Sequence, residues 1–223
     1  MFKSDRKYWL LIVVAIALVA GSVDRSLATP LTIQNWDFEG VYLPTDGTGS
    51  YMNIPGWNIT GQAGTLNPRP TSYNTGGLDY SGGNIAWINS GYISQDLSLL
   101  NPTLGYLNAG HLYTLDVDVG YRLISDCPKC GSLDYTIELW AGGSSLASTS
   151  GTGTLGAWGT TTLTYLASAS GGPLEIRLYS SGIQTNFDNV GLTNNAVPEP
   201  ATLLLLGSGL LGAAWFGKKK FKA

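Results

Sequence analysis

A chain of 223 residues with 12% charged residues, a formal net charge of −3 and a sequence pI near 5.0 has room for one sizeable core and lacks the basic footprint of a general nucleic-acid binder. One histidine and two cysteines cannot assemble a His/Cys zinc site and are too few for a disulfide-dense miniprotein. The mean hydropathy of +0.08 averages unlike parts, because eight of the 12 basic residues and the longest apolar runs lie at the two ends.

Residues 1–28 read as an export signal. Lys3, Arg6 and Lys7 outweigh Asp5, and Tyr8 to Ala20 is a 13-residue apolar run. Ser26-Leu27-Ala28 then supplies small residues at the −3 and −1 positions of a cleavage site. The alternative is a retained anchor, but the run is shorter than the roughly 17–25 residues of a usual span.

Residues 29–197 are different in kind. Four basic residues (Arg69, Arg122, Lys129, Arg177) stand against 12 acidic ones, a net charge of −8, and 25 of the 30 glycines fall here. No helical period persists, whereas period-2 alternation recurs. Tyr113, Leu115, Val117, Val119 and Tyr121 share one face of 112–121, and Leu133, Tyr135, Ile137 and Leu139 one face of 133–140. Leu174, Ile176 and Leu178 do the same in 174–179. Further strands are predicted at 84–97, 158–167 and 186–193, separated by Gly-rich or Ser/Asn/Pro-rich stretches at 44–50, 74–83, 141–157 and 168–173. Strands with one apolar face must stack on a second sheet, so the predicted fold is an all-β antiparallel sandwich.

Chemistry-bearing residues sit on that frame. If 112–121 and 133–140 pair as a hairpin, Asp116, Asp118, Asp134 and Glu138 share one face. Like charges facing each other require water, a cation or a partner such as Arg177. A catalytic carboxylate pair would also need one acid of raised pKa. Cys127-Pro128-Lys129-Cys130 falls in the turn between these strands. In an oxidising compartment that spacing predicts a loop-closing disulfide, since no helix follows as in a thioredoxin-like site. His111 is the sole histidine, and no nucleophile elbow, P-loop or dinucleotide fingerprint occurs.

Five short motifs occur in order: Asn35-Trp36-Asp37-Phe38-Glu39, Ile54-Pro55-Gly56-Trp57, Gly91-Tyr92-Ile93-Ser94-Gln95, Ala109-Gly110-His111-Leu112-Tyr113-Thr114-Leu115 and Phe187-Asp188-Asn189-Val190-Gly191-Leu192. This order resembles the galactose-binding-like jelly rolls, which include many carbohydrate-binding modules. The resemblance implies that the Phe-Glu and Asp-Asn strands lie side by side, with a structural Ca²⁺ held by Glu39, Asp188 and backbone carbonyls. The alternative for each is a carboxylate bonded to backbone N–H. It also implies aromatic and polar ligand contacts, for which Trp57, Trp87, Arg122 and Trp140 are the candidates. Trp57, Tyr80, Trp87 and Tyr92 border loops, and Trp140 falls on the polar register of its strand. Core packing is the alternative for every tryptophan.

At the other end, Pro198-Glu199-Pro200 precedes the 17-residue uncharged run Ala201 to Gly217 and then Lys218, Lys219, Lys220 and Lys222. The run can just cross a bilayer with its basic end in the cytoplasm. The alternative is an ordinary single-span tail anchor. The order resembles the PEP-CTERM sorting signal of exported proteins of Gram-negative bacteria. It implies recognition by an exosortase near Pro198-Glu199-Pro200, in systems that accompany extracellular polysaccharide and biofilm production. The expected organisation is a signal peptide at 1–28, a β-sandwich at 29–196 and a sorting signal at 197–223. The expected function is a non-catalytic, glycan-binding protein of the cell surface or matrix, anchored through 201–217 before processing. A purely structural matrix component and a glycan-active hydrolase are the alternatives.

Overall fold

The computed structural model describes residues 27–74, 83–130, 133–197 and 209. The predicted export signal, Tyr80 of the predicted loop 74–83, the Pro198-Glu199-Pro200 motif and the predicted membrane run 201–217 lie, Gly209 and a few flanking residues apart, outside them. Among the described residues no helix is long and apolar enough to cross a membrane. Ala28–Asn195 forms one compact unit.

That unit is all-β. Its strands are β1 (Thr29–Pro30), β2 (Asn58–Leu66), β3 (Ile85–Asp96), β4 (His111–Tyr121), β5 (Asp134–Ala141), β6 (Ser144–Thr152), β7 (Ala157–Leu166), β8 (Leu174–Ser180) and β9 (Thr185–Ala196). The predicted alternation is realised in β4, where Tyr113, Leu115, Val117 and Val119 are buried and Thr114, Asp116 and Asp118 are half-buried. It is realised again in β8, where Leu174, Ile176 and Leu178 are buried between Glu175, Arg177 and Tyr179.

The strands form a jelly-roll-like sandwich. One layer runs β6-β5-β8-β3-β2 and the other β1-β9-β4-β7. All the strand pairs whose register is resolved are antiparallel. Ile93, Ile137, Leu139, Ile176 and Leu178 of the first layer share one core with Tyr113, Leu115, Val117, Leu163, Phe187 and Leu192 of the second. Each such side chain contributes roughly 1.5–3 kcal/mol by leaving water.

β3 belongs to both layers. Its first half pairs with β9 through Ala86–Ile88, and its second half with β8 through Gly91–Asp96. The switch occurs at Ser90 and Gly91, opposite a register shift between Gly61 and Gln62 in β2. A side chain at Gly91 would place its Cβ 2.1 Å from the Thr60 carbonyl oxygen, and one at Gly61 would sit 2.3 Å from that of Ser90. Both positions therefore require glycine.

Three features differ from the sequence expectation. β2 is an additional strand, and β6 occupies most of the predicted loop 141–157. β4 and β5 do not form a hairpin: β4 lies between β9 and β7, and β5 between β6 and β8. The connection after Tyr121 crosses from one layer to the other, so Asp116 and Asp118 lie on one outer face and Asp134 and Glu138 on the other layer. Asp116 and Asp118 accept hydrogen bonds from Thr162 (2.5 Å) and Thr160 (2.6 Å) across the β4–β7 ladder.

Cys127 and Cys130 form a disulfide, and both are buried. Closing so short a loop removes little chain entropy. The Cys127→Ser/Cys130→Ser protein is expected to lose about 2 kcal/mol in denaturant unfolding; unchanged stability would leave the bridge without a structural role.

Candidate functional site

The outer face of the five-stranded layer carries an aromatic and acidic platform. Register places Tyr92 (β3) beside Tyr179 (β8) and Thr136 (β5), and Ser94 beside Arg177 and Glu138. Trp140 stands beside Glu175 in the same ladder. These side chains point outward because their neighbours Ile93, Leu178, Ile137 and Leu139 are committed to the core.

The groups interlock. Arg177 donates to both Glu175 oxygens, from Nε at 2.8 Å and from a terminal nitrogen at 3.0 Å. Its guanidinium lies 3.6 Å from the Trp140 ring centroid and 5.4 Å from that of Tyr92. The Tyr92 and Tyr179 rings pack at 4.7 Å. Trp140 Nε1 donates to Glu138 Oε2 at 2.7 Å. Beside this cluster opens a groove of about 400 Å³ lined by Asp134, Tyr135, Thr136, Glu138, Trp140, Tyr179 and the Gly91 and Ser180–Ser181 segments.

Of the four candidate ligand contacts, only Trp140 lies on this groove, where Asp134 and Glu138 of the predicted acidic set join it. Trp57 is buried against Phe38, with centroids 5.6 Å apart, and its Nε1 donates to the Gln34 and Asn35 carbonyls. Trp87 is buried under Tyr51 and donates to the Ser50 carbonyl at 3.2 Å. Arg122 is buried beside the disulfide loop, bonding Asp126 at 2.9 Å and the Gln184 amide oxygen. These three side chains are occupied by packing and hydrogen bonds. Tyr92 and Tyr179 are not singled out as contacts by spacing. Their polar-face parity is the available signal, and it becomes informative only once β8 is known to lie between β3 and β5.

Glu39 and Asp188 do come into one neighbourhood. Asp188 lies on the outer register of β9, beside Asp118 of β4, and Asn189 bridges them: its backbone N–H donates to Asp188 (2.8 Å) and its amide to Asp118 (3.0 Å). Burial pushes the Asp188 carboxyl up to about 7. The Asn189 N–H offsets part of that shift, and repulsion from Asp118, Glu39 and Asp37 adds to it. Burial likewise raises Glu39, against the Asn84 backbone N–H that donates to it. Asn35, Phe38 and Asn189 around the cluster all hold positive φ, of 51°, 56° and 49°. For Phe38 this conformation costs roughly 1–3 kcal/mol and is held by its burial on Trp57. Trp57 thereby fixes the turn that carries Asp37 and Glu39. Among the described residues no three acidic, histidine or cysteine side chains converge closely enough to hold a metal ion by themselves.

A family model described as HpiC1-like (HpiC1 cyclase) matches residues 29–193, and the PEP-CTERM protein-sorting motif matches residues 196–220. Among solved structures, an apo-form cyclase from Fischerella sp. is similar at 24% identity and TM-score 0.62, over 77% of this chain and 98% of that one. The Stig cyclase Fisc from Fischerella sp. TAU, in complex with (3Z)-3-(1-methyl-2-pyrrolidinylidene)-3H-indole, is similar at 24% identity and TM-score 0.61, over 77% of this chain and 100% of that one. A carbohydrate-binding module, TmCBM61 in complex with beta-1,4-galactotriose, aligns at 15% identity and TM-score 0.45, over 74% and 98%. No curated protein matches the chain. The sorting motif marks the chain for export to the cell surface or extracellular space. Its β-sandwich domain belongs to the HpiC1-like family.

Proposed function

We propose that the exported domain is a non-catalytic glycan-binding module of the cell surface or matrix, with its site in the groove beside Trp140. The observation that carries this reading is the meeting of Trp140 and Tyr179 with Asp134, Glu138, Thr136 and the Ser180–Ser181 segment around one open cavity. Sugar rings offer apolar C–H faces to aromatic rings and hydroxyls to carboxylates and hydroxyls, and a rigid sheet holds both sets in place. The Trp140→Ala protein is expected to lose at least tenfold in affinity for the glycans that the parent retains on an array, with its melting temperature monitored in parallel. A parent that retains no glycan would leave the alternative, a structural matrix protein without a ligand.

The sorting motif supports processing by an exosortase near Pro198-Glu199-Pro200, after anchorage through 201–217. Intact mass of the protein recovered from cells is expected to place the new C-terminus between Val197 and Pro200. A mass retaining Lys218 to Ala223 rejects processing.

Family membership favours a second reading, turnover of an aromatic small molecule at the Asp188 cluster. Trp36 borders that cluster at 48% exposure, its carbonyl accepting from Val190 N–H at 3.0 Å. A carboxyl that keeps its proton near neutral pH is a competent general acid. A structural Ca²⁺ at Glu39 and Asp188 makes the opposite demand, because the ion requires that proton to leave. With fewer than three convergent carboxylates, most of its oxygens would come from backbone carbonyls and water. Calcium that raises the melting temperature, reversibly with chelator, supports the ion; no shift rejects it.

A further inference from the structure

We infer that the groove selects sugars carrying a free ammonium group, as in a de-N-acetylated amino-sugar polymer, over neutral or anionic glycans. The inference rests on the glycan-binding reading and names its substrate class.

The charges within 29–197 point this way. Arg69 and Arg122 both bond Asp126, at 2.6 and 2.9 Å, and Arg177 is held by both oxygens of Glu175. The remaining basic residue, Lys129, sits in the disulfide loop. The guanidinium of Arg177 is thus neutralised and pressed on the indole, and the charged residues lining the groove itself are Asp134 and Glu138. Glu138 lies opposite Arg177 in register, yet Arg177 bonds Glu175 instead. Glu138 keeps the Trp140 N–H as its neutral donor, and Asp134 accepts from the Thr152 hydroxyl at 3.0 Å.

Two carboxylates beside three aromatic rings suit a cation. The ring faces are electron-rich, as the Arg177 stack demonstrates on Trp140, and an ammonium placed among them meets opposite charge on the carboxylate side. A uronate or sulfate would instead meet the like charge of Asp134 and Glu138. The field of a domain with net charge −8 steers cations toward it and repels anions. A neutral sugar gains the stacking but nothing from the carboxylates beyond ordinary hydrogen bonds.

The test is calorimetric titration of the full chain in detergent, near pH 6 and physiological salt. The probes are the tetramer of glucosamine, its fully N-acetylated counterpart and a neutral glucose tetramer. At least tenfold tighter binding of the glucosamine tetramer is expected. Glu138→Gln, which keeps an acceptor for the Trp140 N–H, is expected to abolish the preference. Asp116→Asn, on the other layer, is expected to leave it intact. Trp140→Phe keeps an aromatic face should Trp140→Ala fail to fold. Equal or tighter binding of the acetylated or neutral tetramer, weakened by the Trp140 variants, overturns the ammonium inference and keeps the glycan reading. An amine preference that survives Glu138→Gln and weakens equally in Asp116→Asn reports diffuse charge and also overturns it. Absence of binding by all three tetramers overturns the site along with the inference.

Discussion

The Asp188→Asn protein is expected to be more stable than the parent at pH 8 in chelator, with the advantage reduced to less than half at pH 5 and lost only below the ordinary carboxyl value of 3.8. The Asp188 carboxyl is raised from an ordinary value of 3.8 to about 7 in the folded protein. Between those limits the folded state holds a proton that the unfolded chain has released, so stability falls as pH rises through the window. Integrated over the window, the loss is about 4 kcal/mol at about 1.4 kcal/mol per pH unit. Asp118 of β4 and Glu39 and Asp37 of the loop after β1 face this group with charge of the same sign. Asparagine keeps the acceptor for the Asn189 N–H and removes the charge. Urea unfolding at pH 5, 6, 7 and 8 measures the effect. Parallel curves for parent and variant would show that Asp188 is not the titrating group. Calcium bound at Glu39 and Asp188 would flatten the parent's curve in the same way, by displacing the proton.

The same alternation that locates the core also locates the platform, though only in part. Leu-Glu-Ile-Arg-Leu-Tyr in β8 and Ile-Glu-Leu-Trp in β5 assign Arg177, Tyr179, Glu138 and Trp140 to a polar face before any contact is known. Parity says nothing about which strands become neighbours. Arg177 reaches Trp140 because β8 pairs with β5, from more than 30 residues away in the chain. Locality favours a β4–β5 hairpin, and the layer crossing after Tyr121 defeats it.

β6 escapes notice for a different reason. It is an edge strand with the sequence Ser-Ser-Leu-Ala-Ser-Thr-Ser-Gly-Thr, which buries little and so needs no apolar alternation. β2 hides behind two glycines, one of which serves the bend of β3. The tryptophans show the limit most plainly. Trp57, Trp87 and Trp140 all stand near Gly- or Pro-rich stretches, yet Trp57 and Trp87 are buried. A loop tryptophan whose N–H can reach a backbone carbonyl is as readily a clamp for the loop as a ligand contact.

Arg122 is where that distinction has the largest energetic consequence. Arg122→Met is expected to cost about 3 kcal/mol of stability and to leave glycan affinity unchanged. The guanidinium is buried, bonding Asp126 and the Gln184 amide oxygen. Burial alone would raise the Asp126 carboxyl. The Ser72 hydroxyl, Arg69 and Arg122 together outweigh it and hold Asp126 below its ordinary value. Removing Arg122 strands a carboxylate whose side chain is only 5% exposed, for which breaking a buried pair typically costs 3–5 kcal/mol. Arg69 softens the loss by keeping its own 2.6 Å bond to Asp126. Arg69→Ala, at a side chain 56% exposed, should cost less than about 1 kcal/mol. Because Asp126 is depressed when folded, its contribution is present above its unfolded pKa and is lost as pH falls through the folded one. The Arg122→Met defect should therefore narrow on acidification, whereas the gain from Asp188→Asn appears on alkalinisation. Asp126→Asn beside Arg122→Met completes a double-mutant cycle whose coupling reads the pair directly. Zero coupling, or a loss of glycan affinity with stability intact, would move Arg122 from the scaffold to the site.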